Sequence, residues 1–140
     1  MIVLDTNVLS AMMRVSAEPM VEQWLDRQSI ESVWTTTITI FEVNFGLALL
    51  ARGRRRNQLE QAFSRAIRDI LDGRVLPFDH EAASAAADFA AERQQAGKPI
   101  EIRDAQIAGI VRARRATLAT RNTRHFSGLD ISVIDPWRAR

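Results

Sequence analysis

The sequence predicts an α/β fold in which a mostly parallel sheet carries helices on both faces. Short apolar segments of strand type alternate with longer segments of helical periodicity along the chain. The first strand segment, Ile-Val-Leu at residues 2–4, runs through a polar turn directly into a helical pattern. The length of 140 residues suits one domain with one core, so we expect a single domain over residues 1–140.

Five segments have the composition of buried strands. After residues 2–4 comes a run rich in β-branched and aromatic residues, Ser-Val-Trp-Thr, and Pro77 marks the end of the third segment. The remaining two are short apolar segments that each follow a helical pattern. The predicted strands are residues 2–4, 32–35, 75–78, 117–120 and 131–134.

Six stretches repeat apolar residues at helical spacing. Thr37 is the expected N-cap of the third, and Gly73 ends the fourth. The fifth is alanine-rich, which favours a helix and lets a neighbouring helix approach closely. The predicted helices begin after Asp5 and then cover residues 18–27, 38–51, 55–72, 80–96 and 102–115.

Composition excludes several classes of protein. The chain has no cysteine, which excludes a disulfide scaffold, a thiolate zinc site and a thiol nucleophile. No apolar run reaches the ~18 residues that a membrane helix needs, and the N-terminus has no signal-peptide pattern. We therefore expect a cytoplasmic protein without a membrane partner.

The basic residues are almost all arginine, and they are bunched. The formal net charge is only +2, from 19 basic and 17 acidic residues, but the arginines group at 52–56, 112–115 and 121–124. Arginine binds phosphate with two donors, so the bunching suits an anionic partner such as nucleic acid. Solvated helix ends are the alternative interpretation.

Three acidic residues in three separate elements are candidate metal ligands. Asp5 directly follows a buried strand, where ligands of α/β sheets bind, although it also suits an N-cap. Glu42 lies in a helix that is apolar nearly all round, so its burial requires a cation or an arginine partner. Asp104 begins a helix three residues after Glu101, an arrangement that equally fits the helix dipole.

The loop after the fourth strand is the other polar cluster. It reads Thr120-Arg121-Asn122-Thr123-Arg124-His125-Phe126, and it also leaves the carboxyl end of a strand. An ordinary polar turn is the alternative. Clustered carboxylates without thiols select Mg²⁺ or Mn²⁺, and acids around such ions are used in phosphodiester cleavage. The arginines would then hold the phosphate backbone.

These motifs together resemble the PIN-domain ribonucleases of the VapC/FitB toxin type. The resemblance spans the chain: MIVLDTNVLS, TIFEVNFG, RDAQIAG, ATRNTRHF and DPW occur in the family's order and spacing. It implies a three-layer α/β/α sandwich, Mg²⁺- or Mn²⁺-dependent cleavage of single-stranded RNA, a homodimer or higher oligomer, and a cognate antitoxin that binds DNA. By motif position, Asp5, Glu42 and Asp104 would bind the metal, with Thr6 offering a hydroxyl beside them.

One position departs from the family pattern. Many relatives carry a fourth acid in the loop after the fourth strand, where this chain has Asn122, and position 125, acidic in some relatives, is His125. We therefore expect one tightly bound metal, with a second arriving with RNA. The supporting residues are Glu101, Thr120 and Asn122, and the candidate phosphate contacts are Arg121, Arg124 and His125.

Other functions fit parts of the same pattern. A PIN-like module that binds RNA or a partner without cleaving is the main alternative, since the fourth acid is absent. A phosphatase of the haloacid dehalogenase type needs an Asp where Asn7 stands, and a phosphoacceptor receiver domain needs an acid pair that the chain lacks. We expect Phe41, Phe45, Phe63 and Phe78 in the core, although the apolar excess of helix 38–51 also fits a dimer or antitoxin surface.

Overall fold

The sheet has five strands, all parallel, in the order β3-β2-β1-β4-β5. The computed structural model describes residues 1–14 and 18–139. Val3 at the centre pairs with Trp34 on one side and Leu118 on the other. The strands are β1 (Ile2–Leu4), β2 (Val33–Thr36), β3 (Val75–Leu76), β4 (Thr117–Ala119) and β5 (Ser132–Ile134). The predicted fold class is confirmed, and the sheet is wholly rather than mostly parallel.

Helices connect successive strands and cover both faces of the sheet. They are α1 (Thr6–Met12), α2 (Pro19–Asp26), α3 (Thr37–Leu49), α4 (Arg54–Arg65), α5 (His80–Gln95) and α6 (Ile102–Ala113). A π-helical segment, Ala66–Ile70, extends α4, so the predicted helix 55–72 forms in two geometries. A 3-10 turn, Thr123–Phe126, follows β4. No helix in the described part of the chain is long and apolar enough to cross a membrane.

The sheet separates two apolar cores. On one face, Leu4 packs with residues of α1 to α4, among them the fully buried Leu9 and Trp24. On the other face, Val3 packs with α5, α6 and Phe126. Alternate residues of β1 thus point to opposite cores, which explains why its sequence is apolar without interruption.

The helices α5 and α6 approach each other closely at Gly109. A Cβ built on Gly109 would lie 2.3 Å from the carbonyl oxygen of Ala82 and 2.7 Å from the Cβ of Ala86. Real Cβ atoms do not come so close to other heavy atoms, so this position needs glycine. The close approach predicted from the alanine-rich segment is therefore confirmed.

The third helix differs from the prediction in two ways. Its N-cap is Thr36, whose hydroxyl accepts the amide of Thr39, rather than Thr37. It is also not buried all round: Phe41 and Phe45 stack on each other, 56% and 51% exposed, with Leu49 beyond them at 72%. The prediction that these two phenylalanines belong to the core was wrong. A helix in the outer layer of a sandwich turns only one face to the sheet, and periodicity does not show what covers the other.

The other predicted core aromatics are confirmed. Phe63 is buried in the first core, and the partly buried Phe78 packs against the second. In α2, Val21 and Trp24 face inward, whereas Met20 is half exposed at the start of the helix. Every predicted boundary of a strand or helix lies within three residues of the observed one, except the end of the fourth helix. There the α-helix ends at Arg65, where the geometry becomes π-helical.

Candidate active site

The candidate site lies at the carboxyl ends of the two central strands. Strand order reverses between β1 and β4, and the backbone amide of Asp5 donates to Ala119 O at 2.9 Å across that point. Asp5 directly follows β1, and Thr120 directly follows β4. Such a switch point leaves a crevice in which α/β proteins bind ligands. The topology therefore brings two of the predicted residues together.

Asp5 is a buried carboxylate held by three donors. Only 5% of it is exposed, and it accepts the amide of Thr6 at 2.8 Å, the hydroxyl of Thr120 at 2.7 Å and the amide group of Asn7 at 3.2 Å. Asp5 is also the N-cap of α1, which is the alternative role that its position in the sequence suggested. Burial raises the pKa of Asp5, and the hydrogen bonds from Thr120, Thr6 and Asn7 oppose that rise.

Glu42 projects from the middle of α3 toward Thr6. The Thr6 hydroxyl lies 3.0 Å from Glu42 Oε1 and 3.2 Å from the buried Thr39 hydroxyl. Arg103 Nη1 stands 4.0 Å from Glu42 Oε2, at the outer limit of an ion pair. Burial raises the pKa of Glu42, and the charges of Asp5 and Asp104 raise it further. An arginine partner, the alternative inferred from the sequence, is thus present, but at long range.

Asp104 lies in the first turn of α6, close to His125. Its Oδ2 is 3.1 Å from His125 Nδ1. Glu101 is the N-cap of this helix, because its carboxylate accepts the amides of Arg103 at 2.8 Å and Asp104 at 3.2 Å. Burial raises the pKa of Asp104, as do the charges of Asp5 and Glu101, while His125 opposes the rise. The carboxylate of Glu101 thus caps the N-terminus of α6.

The three carboxylates come from separate elements and repel one another electrostatically. The charge of Asp5 raises the pKa of both Glu42 and Asp104, and the charge of Asp104 raises that of Glu42. Within residues 1–14 and 18–139, no three acidic or histidine side chains form a ready-made metal cage. The donor set is nevertheless the hard oxygen set that Mg²⁺ and Mn²⁺ prefer, and a cation would relieve the repulsion.

A basic cavity lies beside the loop after β4, next to His125, which contacts Asp104. Its volume is about 310 Å³, and its lining includes Arg121, Asn122, Arg124 and His125 from that loop, together with Asp135 and Arg138. Arg121 lies over the ring of Trp137, with its guanidinium carbon 4.9 Å from the ring centroid. All four loop residues are exposed, so they are accessible to a ligand.

Other arginines of the bunched groups form ion pairs with acidic side chains of this chain. Arg56 pairs with Glu60 at 2.7 Å, and Arg114 pairs with Asp79 at 2.9 Å. Arg112 likewise meets Asp130. Arg112 and Arg114, at the end of α6, thus fit the interpretation as solvated helix ends, whereas Arg56 lies in the first turn of α4.

Sequence reasoning missed two residues of the site. Asn7 bridges the strand ends, donating to Asp5 and Thr120 and accepting the amide of Arg121 at 3.0 Å. Arg103 is the cation nearest Glu42 and also contacts Glu101 at 3.3 Å. Both stand beside a predicted acid in the motifs D-T-N and R-D-A, and that adjacency was the available signal.

Comparisons with known proteins converge on one family. The family model described as PIN domain matches residues 2–131. The chain is 38% identical over 137 residues to the VapC ribonuclease Y4jK of Sinorhizobium fredii, covering 98% of each chain. It is 36% identical to the FitB toxin of Neisseria gonorrhoeae, covering 98% of this chain and 99% of that one. A solved structure of FitAB bound to a DNA fragment matches with a TM-score of 0.89 at 36% identity, over 100% of this chain and 98% of that one.

Proposed function

Because this chain belongs to the PIN-domain family of VapC- and FitB-type toxins, we propose that it is a metal-dependent endoribonuclease, the toxin of a toxin–antitoxin pair. The carboxylate cluster at the switch point between β1 and β4 carries the proposal. The charge of Asp5 raises the pKa of Glu42 and of Asp104, and the charge of Asp104 raises that of Glu42, so bringing the three acids together costs folding free energy. Such a cluster is typical of a functional site.

Asp5, Glu42 and Asp104 would hold Mg²⁺ or Mn²⁺. A bound divalent cation stabilises the charge that develops on a phosphoryl group and makes water a better nucleophile. The chain's own residues prepare the ligands: Thr120 and Asn7 hold one oxygen of Asp5, the backbone amide of Thr6 holds the other, and the Thr6 hydroxyl orients Glu42. Thr6 and Thr120 are therefore positioning residues in this proposal.

The RNA backbone would enter by the basic cavity. Arg121 and Arg124 are exposed and line that cavity, and their guanidinium groups suit phosphate. The stacking of Arg121 on Trp137 limits the freedom of its side chain, which reduces the entropy lost on binding.

The proposed partners are an antitoxin and a second copy of this chain. A similar solved structure is that of FitAB bound to a DNA fragment, and FitB is named a toxin. We therefore assign this chain a DNA-binding antitoxin as its partner. Because such a partner binds DNA, we also assign the chain a cytoplasmic location. The exposed row Phe41, Phe45 and Leu49 is an apolar surface that a monomer would leave in water. We assign that surface to the contact between two copies.

A module that binds RNA without cleaving it remains the second candidate function. Asn122 stands on the exposed loop after β4, and its amide supplies no charge for a second cation. If this interpretation holds, the wild-type protein is inert, and Asn122→Asp gains cleavage.

Cleavage of a mixed RNA pool tests the proposed function. Antitoxin-free protein is incubated with Mn²⁺, with Mg²⁺ or with EDTA, alongside Asp104→Asn and a matched control, Asp88→Asn, on the exposed face of α5. We expect metal-dependent cleavage by the wild type and the control, and none by Asp104→Asn. Cleavage that persists in EDTA or in Asp104→Asn would refute the assignment of the site.

A further inference from the structure

A buried hydroxyl occupies an apolar position of α3. The residues of this helix that face the core are Thr39, Val43 and Leu47, which follow one another at the spacing of a single helical face. Thr39 is 0% exposed, and valine has the same shape without a polar atom. Because a buried hydroxyl costs free energy unless it is hydrogen-bonded, the partners of Thr39 must account for the choice of threonine.

The hydroxyl of Thr39 is not required to cap its own helix. The N-cap of α3 is Thr36, whose hydroxyl accepts the Thr39 amide at 3.1 Å. The Thr39 hydroxyl lies instead 3.2 Å from the hydroxyl of Thr6, which is itself 3.0 Å from Glu42 Oε1. The Thr36 hydroxyl lies 3.4 Å from that of Thr39. A row of three hydroxyls, those of Thr36, Thr39 and Thr6, thus leads to one carboxylate oxygen.

The charge of Glu42 gives this row a direction. An ionised carboxylate only accepts hydrogen bonds, and a hydroxyl has a single proton to donate. The proton of Thr6 therefore goes to Glu42, and Thr39 is left as the group that donates to the oxygen of Thr6. Hydrogen bonds in such a chain polarise one another, so the bond from Thr39 strengthens the one from Thr6 to Glu42.

The row also connects two helices that carry parts of the site. Thr6 is the first residue of α1, directly after Asp5, and Thr39 lies in the first turn of α3, one turn before Glu42. The bond between the two hydroxyls spans 33 residues of the chain. It therefore fixes the Thr6 side chain against α3, where Glu42 projects.

We propose that Thr39 is a positioning residue of the carboxylate site, which fixes the hydroxyl of Thr6 and, through it, the carboxylate of Glu42. The inference rests on the proposed function, since it assumes that Glu42 helps to hold a cation. A purely structural role leads to a different expectation. In that case the loss of the Thr39 hydroxyl lowers the stability of the fold and leaves cation binding unchanged.

The first test measures Mn²⁺ binding without RNA, from the paramagnetic resonance signal of free Mn²⁺. Thr39→Val removes the hydroxyl and keeps the shape, whereas Thr39→Ser keeps the hydroxyl. Thr6→Val and the double variant Thr6→Val/Thr39→Val show whether the two residues act together. Thr35→Val is the matched control, because Thr35 is also 0% exposed but its hydroxyl donates to Leu4 O at 3.2 Å. Urea unfolding in EDTA measures the stability of each variant.

We expect Mn²⁺ binding to depend on the hydroxyl and not on stability. Loss of a group that bonds directly to a metal ligand weakens metal binding by about 10–100-fold, and Thr39 stands one bond further away, so Thr39→Val should weaken it by about three- to tenfold. Thr39→Ser and Thr35→Val should bind Mn²⁺ as the wild type does. The double variant should equal Thr6→Val, because Thr39 acts through Thr6. Unchanged binding in Thr39→Val, an equal loss in Thr35→Val, or additive losses in the double variant would overturn the inference.

A second test uses the wild type and needs no variant to fold. Buried, hydrogen-bonded hydroxyl protons exchange slowly with water, so the resonances of Thr39 and Thr35 can be followed by NMR while Mg²⁺ is added. The Thr39 resonance should shift as the cation binds, since the charge of Glu42 polarises the row, and the Thr35 resonance should stay in place. If calorimetry shows that Mg²⁺ binds and the Thr39 resonance does not move, the inference fails and the proposed function stands. Absence of any Mg²⁺ or Mn²⁺ binding by the wild type would overturn both.

Discussion

Gly109 offers a quantitative test of how α6, and with it Asp104, is positioned. Substitution by alanine adds one methyl group, which would meet Ala82 O at 2.3 Å and Ala86 Cβ at 2.7 Å. Ordinary contacts between carbon atoms are about 3.5–4.0 Å, so α5 and α6 must move apart by roughly 1 Å. Two of the three nearest atoms belong to the backbone of α5, and no rotamer change relieves the clash.

Gly46 is the matched control. It also lies in a helix interior, in α3, and nothing stands within 4 Å of its added Cβ. Replacing a helical glycine by alanine stabilises a helix by ~1 kcal/mol when the methyl group is unobstructed. Both substitutions share that gain, so the difference between them isolates the cost of the clash.

We expect opposite effects on the free energy of unfolding. Gly46→Ala should raise it by ~1 kcal/mol. Gly109→Ala should lower it by up to about 2 kcal/mol, because overpacking a close helix contact costs about 1–3 kcal/mol against the ~1 kcal/mol gain in propensity. With a urea slope of about 2 kcal/mol/M, the two midpoints should differ by ~0.5–1.5 M.

Urea unfolding followed by circular dichroism measures both variants at one protein concentration. RNA cleavage by Gly109→Ala at low temperature should also fall, since the displaced α6 carries Asp104 and Arg103. If Gly109→Ala proves as stable as Gly46→Ala, then α5 and α6 do not pack as described, and the reasoning fails.

Three further predictions concern the charges and surfaces of the site. Burial and neighbouring charges raise the pKa of Asp104, so in that pH range the folded metal-free protein binds more protons than the unfolded chain. The stability of the folded protein therefore falls as pH rises from the ordinary carboxyl range through the raised pKa of Asp104. Asp104→Asn should therefore show a smaller fall than the wild type in thermal melts from pH 4 to pH 8, run in EDTA; an identical fall would contradict the shift. Calorimetric titration without RNA should find one tight Mn²⁺ site, because Asn122 is neutral where many relatives carry a fourth acid. Two tight sites would contradict this prediction. Phe45→Asp should convert a dimer to a monomer in light scattering with unchanged circular dichroism, whereas an unchanged mass would place the contact elsewhere.

Local patterns determined most of the secondary structure and the candidate acids. The alternation of apolar strands with helical periodicity predicts a mostly parallel sheet, since a helical crossover returns the chain to the edge where the previous strand began. That rule alone is enough to place Asp5 and Thr120 at one edge of the sheet. The spacing of T-I-F-E places Glu42 on a helix, and R-D-A places Asp104 at the start of another.

Tertiary packing determined which partners each side chain meets. The bond from Thr120 to Asp5 spans 115 residues, and the bond from Thr6 to Glu42 spans 36. Pairs so distant depend on strand order, which local propensity does not encode. The same holds for His125, whose contact with Asp104 exists only because the turn after β4 packs beside α6.

Phe41 and Gly109 both illustrate the difference between what periodicity predicts and what packing decides. Both lie in helices that the sequence predicts, yet the phenylalanine is exposed and the glycine is buried against α5. Periodicity reports that a residue is apolar or small, but not which surface stands opposite it. The order and type of the residues thus determined the elements, the fold class and the candidate acids. The geometry of the site and the surfaces left open depended on how those elements pack, because burial and proximity are properties of the assembled layers.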